Sequence, residues 1–585
     1  MKEIAAKRGI DKKYWIIGAG VFILAIAVIL YFVLSPNLKG EIVIPYISHQ
    51  KPIMDPHLTG NVPIADKLDE VLYDGLFNIS ANPSGVTYED GLGELVGIDA
   101  NNVVTVRLKP NVKWHDSYKI LLNKGDIEIT PQEAVTFVAN DLRFTLKRIQ
   151  RLGSLSPDFV LVGQAVENFD FVGPDDNNEI KFKFKGDRTW TEDDIKEVLS
   201  FKILPHTATY NQLNYTDGTG PYMYAGEYKD VIYFPKNPAG PAHIGKVILQ
   251  PFIDNSTFTT ELSRGKINTL LRTPFGALSP ILSDTSEFFY KSNISNTFFA
   301  IFFNVQRLNR AQRKALRSLI DNKAIIDRFY KVGSKQQRHI VDYKGHRDNY
   351  DDYLNYSIFP SSSYYVEEKI VVPDSVPQAA DLSVLPDTVR IVTSLNYGFR
   401  EELSQLVEIL NDPQISKGKI KALAVNNQTI KKGDYDAVLL PITNYRSNFM
   451  FDLYDIFLRE PDLATHKIHL ITDSDGFGHR AVNLASFQAD KNFFRLDALK
   501  NSPEHADIVK LLKYIFTFMS TREIGDKQAY AAMIDQLDQQ MALGKYLFSL
   551  PSLAYFSTQF DPHSIQLYGV ASQLSTIEKW QEKKK

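Results

Sequence analysis

Residues that could perform chemistry are scattered along this chain and form no established catalytic motif. Gly240 to Lys246 has the spacing of a phosphate-binding loop, but Val247 stands where a Ser or Thr would hold magnesium. His466 and His469 are the closest histidine pair, and their odd spacing at a predicted strand places them on opposite faces. The sequence contains neither G-x-S-x-G nor H-E-x-x-H. It therefore predicts no enzyme activity, no metal site and no cofactor.

Two other classes of site are disfavoured by composition. The acidic segment 348–352 has no Gly at the sixth and no Glu at the twelfth position of a calcium loop, so an ordinary solvated loop is expected. The chain has no cysteine, which excludes disulfides, thiolate metal sites, a cysteine nucleophile and attachment through an acylated cysteine.

One apolar stretch near the start determines where the rest of the chain lies. Tyr14 to Leu34 is 21 residues long without a charge, and as a helix it would cross a hydrocarbon core of about 30 Å. Residues 1–13 carry five Lys or Arg and two acidic residues, an excess that favours a cytoplasmic tail. We expect a transmembrane anchor at 14–34, with the remainder outside the cytoplasmic membrane.

Two alternatives to an anchor are a buried core helix and a cleaved secretory signal. A core helix would show a polar face, which this stretch lacks. A signal peptide has an apolar region of about 7–15 residues before its cleavage site, whereas this run is longer and is followed by Pro36. An uncleaved anchor is therefore favoured. Either an anchor or a cleaved signal would export the rest of the chain.

The net charge argues against a nucleic-acid partner. The 585 residues have a formal charge of −3, and since residues 1–13 contribute +3, the exported part carries −6. Hydrophobic residues make up 44% and charged residues 23%, which is typical of a globular protein with a large core.

Strand and helix patterns alternate and predict an α/β fold. Apolar residues at 104, 106 and 108 alternate with polar ones, as in a half-buried strand, and Pro45 indicates that the first strand is an edge strand or that it ends there. Strand-helix-strand units near 389–440 indicate a parallel component. The predicted strands are 42–47, 104–108, 180–184, 231–234, 246–250, 297–305, 389–393, 437–440 and 468–471, and the predicted helices are 131–149, 311–330, 401–410 and 508–519.

Several short segments, in order, resemble one family, the extracellular solute-binding proteins of peptide and nickel ABC importers (family 5, the dipeptide/oligopeptide-binding type). The segments are Met54-Asp55-Pro56, 71–76, 104–110, Val112 to Asp116, 141–148, Gly218-Thr219-Gly220-Pro221-Tyr222, 262–268, Phe303-Asn304, 313–316 with Asp321, and 433–437. The persuasive feature is their shared order over residues 42–570, since no single segment is specific.

The resemblance implies a periplasmic-binding-protein-like fold of type II, in its large peptide-binding class, with two α/β lobes around a ligand cleft. We expect lobe 1 at 41–275 plus 541–580 and lobe 2 at 276–540. The implied partners are a peptide or other small ligand and the permease and ATPase subunits of an ABC transporter.

Ligand chemistry is the point at which the chain departs from the family pattern. Peptide binders of this family place an acidic residue shortly after the G-D-x-D strand, where it pairs with the α-amino group of the ligand. The segment 441–448 offers Arg446 and no carboxylate before Asp452. An anionic or neutral ligand is therefore expected, or no ligand at all.

Four residues are candidates for ligand contact, each with a structural alternative. Arg446 could bind a carboxylate bidentately, or form a surface salt bridge. Tyr445 could line the cleft, or pack in the core. Asn304 could donate to a ligand, or cap a turn. His49, after the first strand, could face the cleft, or lie on an exposed loop.

The sequence thus predicts a membrane-anchored, extracytoplasmic solute-binding protein that captures peptide-like ligands for an ABC transporter. The alternative is a ligand-free scaffold or assembly component that retains the solute-binding fold.

Overall fold

A computed structural model gives the fold of most of the chain. It describes residues 38–48, 51–58, 68–82, 85–153, 156–186, 190–212, 214–254, 257–271, 287–329, 339–341, 347–349, 353–359, 381–395, 399–442, 493–499, 501–520, 524–567 and 574–584. Within these ranges, no helix combines the length and apolar character needed to span a membrane. The predicted anchor at 14–34 lies outside the described residues.

Nineteen strands are distributed over six sheets in the described part of the chain. Their bounds are β1 Glu41–Ile47, β2 Phe77–Asn82, β3 Gly85–Asp90, β4 Gly93–Ile98, β5 Val103–Leu108, β6 Tyr118–Asn123, β7 Asp126–Pro131, β8 Glu179–Lys183, β9 Gly226–Tyr228, β10 Val231–Pro235, β11 Lys246–Phe252, β12 Thr269–Leu270, β13 Phe288–Phe303, β14 His339–Val341, β15 Arg347–Asn349, β16 Val389–Thr393, β17 Ile420–Ala424, β18 Ala437–Ile442 and β19 Gly544–Ser557.

Helices connect and cover these sheets. Their bounds are α1 Asp69–Leu72, α2 Ala139–Leu152, α3 Pro157–Ala165, α4 Glu192–Val198, α5 Phe258–Ser263, α6 Arg310–Leu319, α7 Asn322–Phe329, α8 Arg400–Asn411, α9 Pro413–Ser416, α10 Asn427–Lys431, α11 His505–Ser520 and α12 Ile524–Met541.

The largest sheet has six strands in the order β12-β19-β13-β18-β16-β17. The apolar run in β13 is buried on both faces, since Phe298, Phe299, Ala300, Ile301, Phe302 and Phe303 are all fully buried. A strand covered on both faces favours such a continuous apolar run over alternation. β16 runs parallel to β17 and to β18, which confirms the parallel component predicted near 389–440.

A second sheet has four strands in the order β1-β11-β10-β9. β1 is an edge strand, one of the two alternatives that Pro45 indicated, and it runs parallel to β11 over its whole length. Asn268, just before β12, joins this sheet to the larger one. Its Oδ1 accepts from the Val43 N–H at 2.8 Å, and its Nδ2 donates to the Glu41 carbonyl at 2.8 Å.

Two sequence predictions about helices were wrong at their boundaries. Pro131 does not start a helix, because it pairs with Tyr118 at the end of a β-hairpin, and the helix begins only at Ala139. The predicted helix 311–330 is two helices, because Asp321 starts a new one. Its Oδ1 accepts from the backbone N–H groups of residues 323 and 324 at 2.9 and 3.1 Å, as an N-cap does.

The family-like segments near the start meet in a buried polar network around Arg148. Arg148 is 2% exposed, and its guanidinium donates to Asp55 Oδ2 at 2.5 Å, His57 Nδ1 at 2.7 Å and the Tyr215 hydroxyl at 2.8 Å. Because Arg can only donate, His57 accepts at Nδ1 and donates from Nε2 to the Lys202 carbonyl at 2.6 Å. The network fixes the Met54-Asp55-Pro56 turn against α2.

His115 joins two further segments that the resemblance rests on. Its Nδ1 accepts from the Gly218 N–H at 3.2 Å and its Nε2 donates to the Gly220 carbonyl at 3.0 Å. Burial lowers the pKa of His115 to about 4, so the ring is neutral and suited to one donated and one accepted bond. Trp114 is 1% exposed and donates from Nε1 to Asp141 Oδ2 at 3.2 Å, which gives it a structural role.

Candidate functional site

A recess lies where the parallel strands β1 and β11 end. In open α/β sheets, ligands bind outside the carboxyl ends of parallel strands, because the loops that follow those strands converge there. The recess has a volume of about 450 Å³, within the range of small-molecule sites. It is lined by Ser48, Asp230, Pro251, Phe252, Ile253, Asp254 and Thr257.

Backbone pairing and a tight turn hold the walls of the recess. The Ser48 N–H donates to the Phe252 carbonyl at 2.8 Å and so continues the parallel ladder by one residue. Lys229 and Asp230 form the turn between β9 and β10 with φ of 51° and 62°, the left-handed pair that a two-residue hairpin turn requires. The Tyr46 hydroxyl donates to the Asp230 carbonyl and ties this turn to β1.

The wall of the recess is acidic. Asp230 and Asp254 are both exposed, and none of the seven lining residues is basic. Lys51 lies beside the recess, with Nζ 2.8 Å from Glu227 Oε1 and 3.8 Å from Asp230 Oδ1. Lys229, next to Asp230 in the turn, is also exposed, so three carboxylates and two ammonium groups lie at this end of the sheet. Burial and, secondarily, the Glu227 carboxylate raise the pKa of Tyr46.

The rest of the wall is apolar and partly open to solvent. Ile253 is 85% exposed, more than any other large hydrophobic side chain that the structure describes. Phe252 is half-buried and packs edge-on against Phe258 of α5, with ring centroids 5.4 Å apart. An apolar shelf therefore adjoins the two carboxylates.

Three of the four predicted ligand residues lie outside the described residues. These are Arg446, Tyr445 and His49, whose roles stay predictions. Ser48, the neighbour of His49, lines the recess.

Asn304 is fully buried and bonded to other parts of the chain. Its Nδ2 donates to the carbonyls of Gly433 and Tyr435 at 3.2 and 2.8 Å, and its Oδ1 accepts from the Gln306 N–H at 3.0 Å. These contacts give Asn304 a role in joining β13 to the segment before β18. Ligand contact by Asn304 stays a prediction.

Sequence reasoning did not find the acidic recess. The available signal was that Asp254 follows the predicted strand 246–250 and that Ser48 follows the predicted strand 42–47. The sequence did not show that these two strands are parallel neighbours, which is what brings their ends together. Among the residues that the structure describes, no group of His, Asp or Glu is arranged to hold a metal ion.

Comparison with known proteins supports a solute-binding fold. Residues 98–367 match the family model of bacterial extracellular solute-binding proteins, family 5 Middle. No curated protein sequence matches the chain. The predicted resemblance to family 5 solute-binding proteins is confirmed.

Solved structures of low identity share the fold over nearly the whole chain. NikA from Brucella suis in complex with Fe(III)-EDTA has a TM-score of 0.65 at 13% identity, covering 93% of this chain and 100% of NikA. DppA from Helicobacter pylori in complex with the peptide STSA has a TM-score of 0.63 at 15% identity, covering 94% and 99%. AppA from Bacillus subtilis in complex with a nonapeptide has a TM-score of 0.60 at 16% identity, covering 94% and 100%.

Proposed function

Because the chain resembles family 5 extracellular solute-binding proteins in sequence and fold, we propose that it captures peptide-like solutes outside the cytoplasmic membrane for an ABC transporter. The observation that carries the proposal is the recess of about 450 Å³ at the carboxyl ends of β1 and β11, the place where this class of sheet binds ligands. The chain itself would supply capture, and separate permease and ATPase subunits would supply transport.

The ligand class follows from what similar structures hold. DppA from Helicobacter pylori was solved with a peptide, AppA from Bacillus subtilis with a nonapeptide, and NikA from Brucella suis with a metal chelate. Peptide-like ligands are proposed here because two of these three structures hold a peptide.

Capture would occur between two lobes, 41–275 plus 541–580 and 276–540. The long antiparallel pair β13 and β19 begins beside β12 and continues into the centre of the larger sheet, so these strands are suited to connect the lobes. Closure about such connections would bury the ligand, and ligand contacts would stabilise the closed state.

A membrane anchor at 14–34 would tether the chain just before β1. Leu38 to Gly40, just after the anchor, is held by the C-terminal segment. The Gly40 N–H donates to Glu582 Oε1 at 2.5 Å, and Gln559 Nε2 donates to the Leu38 carbonyl at 3.3 Å. From there the seven residues of β1 run about 20 Å to the recess. Localisation would be single-pass, with the bulk of the chain extracytoplasmic.

Native mass spectrometry of the full chain, released from detergent micelles, tests the capture function. A discrete bound mass, present after purification or after addition of a peptide mixture and lost on denaturation, is the expected result. A clean ligand-free mass under both conditions would contradict capture and favour the scaffold alternative. Resistance of the full chain to alkaline extraction from membranes, with protease access from outside, tests the anchor separately.

A further inference from the structure

We propose that two buried carboxylates on α12, Asp535 and Asp538, hold one proton between them and that this proton stabilises the docking of segment 353–359 on β19. The segment is then held more firmly at acidic than at alkaline pH. The inference goes beyond ligand capture and does not depend on which ligand is bound. A chain that lies outside the cytoplasmic membrane, as proposed above, would follow the pH of its surroundings through this site.

Segment 353–359 is held by hydrogen bonds of its own backbone. The Asn355 N–H donates to a carbonyl of β19 at 3.1 Å. The Tyr356 carbonyl accepts from Arg317 of α6 at 3.4 Å and from Gln539 of α12 at 3.3 Å. The segment therefore contacts β19, α6 and α12 at once.

The same segment covers part of the apolar core. Ile358 is fully buried and Phe359 is 4% exposed. The Phe359 ring packs against Phe518 of α11 with centroids 5.5 Å apart. Undocking would bring both side chains into water, so the accessibility of residue 358 reports directly whether the segment is docked.

The carboxylate pair lies on one face of α12, next to this segment. Asp535 is 4% exposed and Asp538 is fully buried, and the spacing of three residues places both side chains on the same side of the helix. Arg317 Nη1 donates to Asp538 Oδ2 at 3.1 Å. One guanidinium therefore lies beside two buried carboxylates.

The other groups that face the pair supply no further positive charge. Arg313 of α6 faces the pair but is itself bonded to Glu504, with 2.5 Å between Nη2 and Oε2. Tyr546 of β19 is fully buried, and burial raises its pKa, so its hydroxyl is neutral. From segment 353–359 the Ser357 hydroxyl lies against the pair. Among the groups that the structure describes there, one net negative charge remains until a carboxyl takes up a proton.

A proton on the pair also suits its hydrogen bonding. Oδ1 of Asp535 and Oδ1 of Asp538 are buried, and neither has a hydrogen-bond partner within the described ranges. An ionised carboxylate is costly to bury without donors, and a protonated carboxyl is much less so. The geometry therefore favours one protonated member.

Asp535 is the member that holds the proton, because Arg317 bonds Asp538 directly. Burial and then the charge of Asp538 raise the pKa of Asp535 to about 6. With segment 353–359 undocked, the side chain would return to water and to an ordinary pKa of about 3.9. The stabilisation of the docked form is therefore fully present below about pH 4 and is lost as the pH rises through 6. For these two pKa values, the undocked fraction should rise about tenfold from pH 5 to pH 8.

Because the chain has no cysteine, one introduced thiol can report on docking. The reporter is Ile358→Cys in the full chain in detergent, labelled with dithiodipyridine between pH 5 and pH 8. Each labelling rate is divided by the rate for the same variant in concentrated urea at the same pH, which removes the pH dependence of the thiol itself. Leu403→Cys on α8, where Leu403 is also fully buried, reports global unfolding. The normalised rate at residue 358 should rise about tenfold relative to the rate at residue 403.

A charge-matched pair of variants assigns the effect to Asp535. Asp535→Asn matches the protonated carboxyl in size and charge, so in the Ile358→Cys background it should keep the segment docked and abolish the rise with pH. Asp526→Asn, at an exposed position in the first turn of the same helix, changes the net charge equally and should leave the rise intact. Ser357→Ala removes a hydroxyl that favours the ionised form of Asp535, so it should move the midpoint of the rise to higher pH. This third variant keeps the test open if Asp535→Asn does not fold.

Several results would overturn the proposal. Equal pH dependence at residues 358 and 403 would assign the rise to global unfolding. A normalised rate at residue 358 that stays constant with pH, or a rise that survives Asp535→Asn, would remove the proton site. Loss of the rise in Asp526→Asn as well would assign it to net charge. None of these results bears on ligand capture, which native mass spectrometry tests separately.

Discussion

Replacement of Arg148 by Met should be among the most destabilising single changes in the chain. The guanidinium is 2% exposed and the Asp55 carboxylate that it contacts at 2.5 Å is 3% exposed. Met fills much of the volume of the Arg stem but leaves Asp55 buried without its cation. His57 Nδ1 also loses the donor that holds it at 2.7 Å.

The expected loss follows from the environment of the pair. Removing one partner of a buried ion pair costs about 3–5 kcal/mol, because an uncompensated charge remains inside. The matched control is Arg107→Met, since Arg107 bonds Glu94 and Glu179 at 3.1 and 2.8 Å but is 45% exposed. Exposed pairs contribute about 0–1 kcal/mol, so the two Arg→Met variants should differ by at least about 2 kcal/mol.

Urea unfolding of the full chain in detergent, followed by tryptophan fluorescence, measures both variants. The double variant Asp55→Asn with Arg148→Met should recover part of the loss, because the buried charge is removed along with its partner. If Arg148→Met costs no more than Arg107→Met, the Asp55–Arg148 pair does not behave as a desolvated pair and the account of this network is wrong.

Three further predictions concern pH and backbone packing. The pKa of His115 is about 4 in the folded chain and about 6.5 in the unfolded chain, so the unfolded chain binds more protons between these pH values. The free energy of unfolding should therefore fall by about 3 kcal/mol as the pH is lowered from 6.5 to below 4. His115→Gln should remove this part of the pH dependence, as measured by urea unfolding. Burial and, next, the carboxylate of Asp116 raise the pKa of Asp217 to about 7. The contribution of Asp217 to the free energy of unfolding is therefore fully present below about pH 4 and is lost as the pH rises through 7. Asp217→Asn should raise the melting temperature relative to wild type at pH 8 but not at pH 4, and an equal effect at both pH values would contradict the raised pKa. An alanine Cβ at Gly218 would lie 1.9 Å from the Leu72 carbonyl oxygen, whereas an alanine Cβ at Gly186 would lie 3.4 Å from the Asn102 side chain. Gly218→Ala should therefore lower the melting temperature strongly and Gly186→Ala only slightly.

Local pattern was sufficient for eight of the nineteen strands that the structure describes and for the α/β class. Alternation at Val104, Val106 and Leu108 specified β5, and all three side chains are buried. Pro45 has no N–H to donate to a neighbouring strand, so it predicted an edge strand or a strand end, and the structure shows an edge strand. These features depend on a residue and its near neighbours, so they can be read from sequence directly.

Local pattern was insufficient wherever a distant partner decides the outcome. Pro131 is compatible with a helix start and with a strand end, and its pairing with Tyr118 selected the strand. Asn304 had the chemistry of a ligand contact and of a turn cap, and the carbonyls that it bonds come from about 130 residues away along the chain.

The sequence by itself determined an α/β fold with a resemblance to solute-binding proteins, a net negative charge after residue 13 and the absence of thiol chemistry. Tertiary structure alone brought Ser48, Asp230 and Asp254 to one recess, because the parallel pairing of β1 with β11 joins segments some 200 residues apart. Such pairing depends on which strands share a core, and no local periodicity encodes that choice. The composition of the candidate site therefore depends on the sheet topology, and no local sequence motif predicts it.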